Sequence, residues 1–408
     1  MSNSVLTLTV DCDCPLIESA LPSQRLVEVV VEAAKPTGAP DRAGLNVALV
    51  IDRSGSMSGD KLRYAQEAAC HVLDRLDGRD RVAVVAYDDE IQTLSPSVVL
   101  SDSVRVALKQ KINALQPGGT TDLGGGWLRG ADEVSQHLQA QTINRALLLT
   151  DGLANVGITD LEQLAHHARE LARRGVTLST FGIGEDYDHD LLEAMANEGG
   201  GHYYFIEHPR EIPGIFAREL GELLTVVARE TTLTVPIPAG VAVELLGDLS
   251  HESSPERLRL FLRDVFAGER RGFYLKTLTP PGALDSRVGL RAELSYATLD
   301  GQTQSARAET VLTYAVGAQS APRNTLLQER AGEVEVAAAA ARALKLEQEG
   351  KAKEAAAFMR RAVAAAPAMP AAMACAYEEQ AEEMEKGLTP QQRKTQHAAA
   401  YKSRNTRA

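Results

Sequence analysis

Asp52, Ser54 and Ser56 stand at alternate positions in residues 45–57, LNVALVIDRSGSM. Between them they offer one carboxylate and two hydroxyls, hard oxygen donors of the kind Mg2+ prefers. Gly55 lets the backbone turn tightly, so the three side chains can converge on one point. The competing reading is a capped turn ahead of a helix, because Asp and Ser are good N-caps. Hydrolytic chemistry fits less well. Arg53-Ser54-Gly55-Ser56 is not a Gly-x-Ser-x-Gly elbow. A phosphohydrolase with Asp52 as nucleophile would want a second carboxylate two residues on, where Ser54 stands. No acid–base constellation accompanies the triplet, so an enzyme is not expected.

The triplet needs a buried strand behind it and a helix after it. Val47, Ala48, Leu49, Val50 and Ile51 form a continuous apolar run of strand length, as in a strand covered on both faces. A helix is expected over 59–76. Strand-like and helix-like segments then alternate from Gly44 to about Glu230. Strands are expected at 81–87, 146–150, 176–181 and 202–206, with a short antiparallel edge strand at 98–100. Helices are expected at 102–115 (capped by Ser101 or Asp102), 161–174 (capped by Asp160), 190–197 and 211–229. Such alternation specifies a mostly parallel sheet with helices on both faces. Ligands bind such sheets beyond the carboxyl ends of the strands, where both Asp52 and Asp151 fall.

Asp-x-Ser-x-Ser at the end of a buried strand resembles the metal-ion-dependent adhesion site (MIDAS) of von Willebrand factor type A (VWA) domains, with Gly55 and Met57 also as that family commonly has them. Two further family pieces follow in order: a loop threonine in Thr121-Asp122-Leu123, and a final aspartate in Thr150-Asp151-Gly152. The layout is similar to bacterial VWA proteins with flanking strands and, more distantly, to inter-alpha-trypsin inhibitor heavy chains. The resemblance implies Ser54, Ser56 and Thr121 as direct ligands of Mg2+, with Asp52 and Asp151 acting through water. Thr120 is the rival of Thr121, and Asp122 the rival of Asp151. Mn2+ or Ca2+ remain open as substitutes. Neutral hydroxyls leave the cation electrophilic, so an Asp or Glu of a partner protein would complete its octahedron. The expected function is a Mg2+-dependent protein–protein interaction module. The alternatives are an adaptor or regulatory subunit of an AAA+ ATPase or chelatase-type assembly and, more remotely, a Mg2+-dependent hydrolase.

The expected fold class is α/β: a Rossmann-like doubly wound VWA domain, residues 41–230, inserted in a β-sandwich and followed by a helical hairpin or bundle. Residues 1–40 and 231–320 supply the sandwich strands, punctuated by turn residues such as Pro280-Pro281-Gly282 and Asp300-Gly301. Residues 321–408 are rich in Ala, Glu and Lys and read as helices at 326–348, 352–365 and 371–386. This helical region is the docking arm that the adaptor alternative needs. The basic tail after Gly387 reads as a solvated, frayed end. Glu378, Glu379, Glu382, Glu383 and Glu385 read as a charged face, with a stand-in ligand for the metal as the sharper alternative.

Composition narrows the rest. The 408 residues carry a net charge of −12, which argues against a nucleic-acid binder. No apolar run reaches membrane-spanning length, and no signal peptide is visible, so a cytoplasmic protein is expected. Four cysteines make no disulfide framework in a chain this long. Cys70 and Cys375 read as buried helix residues. The glycines around Thr121 (Gly118, Gly119 and Gly124–126) read as shaping a metal loop, because no Gly-Lys-Ser/Thr follows them.

Overall fold

The computed structural model of the chain describes residues 5–35, 42–139, 141–247, 249, 251–366 and 368–404. Two compact units emerge, one centred on Thr37–Val226 and the other built from the chain on both sides of it. The chain opens with β1 (Leu6–Cys12), β2 (Leu16–Glu18) and β3 (Ser23–Ala33). The inserted unit runs β4 (Gly44–Asp52), α1 (Asp60–Arg75), β5 (Arg81–Tyr87), β6 (Ile91–Val99), α2 (Asp102–Asn113) and α3 (Leu123–Ser135). It continues through β7 (Thr142–Thr150), α4 (Leu161–Arg173), β8 (Thr177–Ile183), α5 (His189–Gly199), β9 (Gly200–Ile206) and α6 (Ile212–Leu223). Then come β10 (Val226–Pro236), β11 (Ala242–Leu245), β12 (His251–Ser254), β13 (Arg257–Phe266), β14 (Arg270–Thr279), β15 (Arg287–Thr298) and β16 (Thr303–Ala315). The helices α7 (Thr325–Gln348), α8 (Ala352–Ala364), α9 (Ala371–Lys386) and α10 (Pro390–Arg404) close the chain.

The inserted unit is the expected α/β sheet. Its six strands lie in the order β6-β5-β4-β7-β8-β9. All pairs are parallel except β5 with β6. β4 and β7 are buried almost end to end, as strands covered on both faces must be. After β4 the chain steps first to one side, to β5, and later to the other, to β7. The switch point of the sheet is therefore the gap between β4 and β7. Ile51 pairs with Leu149 there, so Asp52 and Asp151 leave the sheet side by side. The caps expected at Ser101 and Asp160 are made, each side chain accepting from the backbone N–H three residues on.

Three local expectations are corrected. Gly124–126 do not shape a loop; they open α3, a helix unmarked by the sequence pattern because glycine is a poor helix former. A Cβ on Gly126 would run into the ring of buried Tyr87, and one on Gly130 into Val50. These glycines let α3 approach the sheet closely. The closing helix ends at Leu223 rather than at 229, and Arg229 belongs to β10. The edge strand β6 is longer than expected, spanning nine residues.

The closing helix α6 is tied to the sheet by a buried polar network. Glu219 Oε1 accepts from Arg145 (2.9 Å) and Ser179 (2.5 Å), and its Oε2 from Tyr204 (2.7 Å), with His202 Nδ1 at 2.9 Å. Burial alone would raise the Glu219 carboxyl, but the charges and hydrogen bonds of His202, Arg145 and Ser179 outweigh it and hold the group far below the usual range.

The second unit is a sandwich. A sheet ordered β1-β3-β14-β11 faces one ordered β12-β13-β10-β15-β16-β2. Val27, Val29 and Val31 of the first sheet meet Leu260, Leu294 and Leu312 of the second in one apolar core. α7 is docked on this sandwich, with Ala331 and Val334 against Leu246 and Tyr274 and with Lys276 paired to Glu335 at 2.9 Å. The other helices share a core with α7 through Leu344, Met359, Tyr377, Met384 and Ala400. Through Arg404 the basic tail is not frayed: it forms α10, whose Arg393 bridges buried Glu347 at 2.7 and 3.0 Å. Of the α9 acids, Glu378 and Glu385 pair with Arg360, and Glu383 accepts from Gln396. Cys375 is exposed and Cys70 only partly buried, against expectation; Cys12 and Cys14 are the buried pair. Residues 36–40 of the expected linker and Arg407 of the tail lie outside the described residues. No helix among the described residues is long and apolar enough to cross a membrane.

Two outcomes follow from this packing. Gly126→Ala should destabilise the chain by about 1–3 kcal/mol in denaturant unfolding, because the buried Tyr87 ring cannot give way. The Glu219 network makes a pH prediction. A carboxyl held below its ordinary value of 4.5 contributes fully above that pH and progressively less below it. Wild type should therefore lose stability as the pH falls below about 4.5. Glu219→Gln should be weaker at neutral pH yet lose less over the same interval, read from unfolding midpoints in a pH series.

Candidate metal centre

The centre is assembled from three loops at the β4–β7 switch point. Asp52, the last residue of β4, is fully buried. Its Oδ1 accepts the N–H of Ser54 (2.8 Å) and its Oδ2 the hydroxyl of Thr150 (2.6 Å). A single 3-10 turn, Gly55–Met57, follows, anchored by the fully buried Met57. It brings the Ser54 and Ser56 hydroxyls to 3.1 Å, and Ser56 donates to Asp151 Oδ1 at 2.7 Å. Residues 118–121 are laced to this turn. Gly118 N–H donates to Arg53 O (2.7 Å), and Gly55 N–H to Gly119 O (2.9 Å). Thr121 is laced in turn to the loop after Asp151. Its N–H donates to Asn155 Oδ1 (2.8 Å), and its carbonyl accepts from Asn155 and Val156. A Cβ on Gly152 would lie 3.3 Å from Thr121 Oγ1 and 3.5 Å from Ser56 Oγ, so the two hydroxyls flank that glycine. Asp52, Ser54, Ser56, Thr121 and Asp151 are thus brought to one place. Thr121 is buried and Thr120 exposed, while Asp122 caps α3 through Gly125 N–H at 2.9 Å.

Residues 46–218 match the von Willebrand factor type A domain family. They are a VWA domain. The chain is similar to the uncharacterised protein YfbK of Escherichia coli, with 30% identity over 249 residues, 60% of this chain and 43% of that one. It is 29% identical over 162 residues to human inter-alpha-trypsin inhibitor heavy chain H2, which covers 38% of this chain and 17% of that one. The chain therefore spans less than half the length of either relative. A solved von Willebrand factor type A structure from Catenulispora acidiphila superposes over 100% of this chain and 98% of its own, with a TM-score of 0.76 at 18% identity. That likeness extends the shared fold to the flanking sandwich and helices.

The VWA domain buries two carboxylates at the ends of neighbouring strands. Burial pushes the Asp52 carboxyl up to about 6, against the pull of its hydrogen bonds from Ser54 and Thr150. Asp52 is held by a hydroxyl and an N–H, both neutral. Asp151 has a cationic partner, Lys61 Nζ, at 2.5 Å from Oδ2. Buried carboxylates are costly without compensating charge. Ser56 and Gly55, by contrast, are exposed, so the cluster opens to solvent on one side. Hard oxygen donors, a buried acid without a cation of its own and an open face fit a hard divalent cation.

Lys61, Thr150 and Asn155 did not emerge from the sequence pattern as members of this centre. Lys61 did leave a signal: a lysine in the first turn of α1 opposes the helix dipole and so asks for a nearby acid. A second group of ligand-type residues in the inserted unit, His202, Glu219 and Glu222, has its ligand atoms within 4.8 Å of one another. Both oxygens of Glu219 are already engaged by four neighbours, so that group reads as the structural tie of α6.

Proposed function

We propose that the VWA domain is a cation-dependent binding module whose MIDAS consists of Asp52, Ser54, Ser56, Thr121 and Asp151. Mg2+ is the first candidate, and the ligand is an Asp or Glu carboxylate of a partner protein. VWA domains are modules that commonly mediate protein–protein interaction, which supports the partner class. The observation that carries the reading is the gathering of three hydroxyls and two buried carboxylates from separate loops at the open end of the sheet. Bound there, the cation would supply an electrophilic vertex for an incoming carboxylate. The residues have distinct parts: the hydroxyls of Ser54, Ser56 and Thr121 donate neutral oxygens, and Asp52 and Asp151 set charge and orientation from below.

The same geometry supports binding over catalysis. Ser54 and Ser56 are bonded to each other and to Asp151, not to an imidazole that could serve as a general base.

Calorimetric titration with Mg2+ tests the reading. Wild type should bind, and saturating Mg2+ should raise unfolding stability, by about 2.7 kcal/mol at a hundred times the dissociation constant. Thr121→Ala and Asp151→Asn should each weaken binding by about 10–100-fold. Their cation-free melting should stay close to wild type. Equal Mg2+ affinity in all three chains would refute the site.

A further inference from the structure

Lys61 is held by a buried carboxylate rather than favoured by its place in the helix. It stands in the first turn of α1, where the helix dipole disfavours a cation. Its ammonium nevertheless lies 2.5 Å from Asp151 Oδ2, while the other oxygen of that carboxylate accepts from Ser56. The Lys61 side chain keeps 25% of its surface exposed, so a ligand arriving at Ser56 can reach it. The other nearby cation, Arg53, is engaged by Asp88 at 3.0 Å. The neighbouring loop adds Asp89 and Glu90, both exposed, which repel an acidic ligand.

We propose that Lys61 sets the charge balance of the centre, weakening its hold on the divalent cation and strengthening its hold on the carboxylate ligand. The inference rests on the metal-binding reading above. A dication balances the charges of Asp52 and Asp151, and a donor set without Lys61 would then be neutral. The ammonium makes it positive by one charge, and a carboxylate is drawn to that excess. The same ammonium occupies one side of Asp151 and repels the dication, so cation affinity falls. Lys61 acts here as a positioning and charge-setting residue; the five oxygen donors remain the cation's own.

The two effects have opposite signs, and that separates them from a structural role. Mg2+ affinity is measured by calorimetry on the full chain, and acetate affinity by NMR shift titration of the Mg2+-saturated chain. Lys61→Met should tighten Mg2+ by about fivefold and weaken acetate by about fivefold, the scale of a partly exposed charge pair. Lys61→Arg keeps the charge and should leave both near wild type. Unchanged affinities in Lys61→Met, or losses in both, would overturn the proposal while leaving the metal site standing. Failure of wild type and Lys61→Met alike to bind Mg2+ would overturn both readings. Thermal melting of each variant confirms that the compared chains are folded.

Discussion

Two carboxylates, Asp52 and Asp151, leave neighbouring parallel strands side by side, and both are fully buried. That is the constraint on which the arrangement of the VWA domain depends. Ionised acids buried this close repel one another and lose their hydration, so the surroundings must supply donors and positive charge. Thr150 and the N–H of Ser54 serve Asp52; Ser56 and Lys61 serve Asp151. The loops that carry these groups are then laced to one another by backbone hydrogen bonds, Arg53 to Gly118, Gly55 to Gly119 and Thr121 to the 155–156 segment. Each tie removes freedom that a flexible loop would otherwise lose on binding a ligand.

The scaffold behind the centre is built to keep it still. α3 follows directly on Thr121 and lies close against β4 and β5 because Gly126 and Gly130 leave room for Tyr87 and Val50. A helix packed at that distance fixes the direction of the loop that precedes it. At the other end of the strands, Glu219 joins α6 to β7, β8 and β9 through Arg145, Ser179 and His202. Both oxygens of Glu219 are engaged in this network, and well-bonded buried networks hold elements in a single arrangement. The flanking sandwich has its own core and carries α7 on its four-stranded sheet, so the C-terminal helices are a packed part of that unit rather than a free arm.

Much of this was legible from residue order, and the misses have physical reasons. Apolar runs of strand length located β4, β5 and β7, because strands covered on both faces hold few polar residues; β8 and β9 showed through their β-branched and aromatic residues. α3 was hidden because its opening glycines are poor helix formers, and only contact with Tyr87 and Val50 rewards them. The overrun of α6 arose because residues 224–229 suit either a helix or a strand, and pairing with β15 decides for the strand at Ala228 and Arg229. The basic tail reads as solvated because nothing local shows that Glu347, more than forty residues earlier, receives Arg393.

The sequence by itself determined the chemistry available: the oxygen donors Asp52, Ser54, Ser56, Thr121 and Asp151, and the strand ends from which two of them project. Those are local properties, written in residue type, period and turn-forming glycine. Only the tertiary structure decided that Thr121 rather than Thr120 faces the cluster, that Thr150 and Asn155 support it, and that Lys61 shares Asp151 with Ser56. Those choices depend on pairings across some ninety residues of chain between α1 and the loop after β7. Contacts of that span are fixed by how the sheet is ordered, which no local pattern contains.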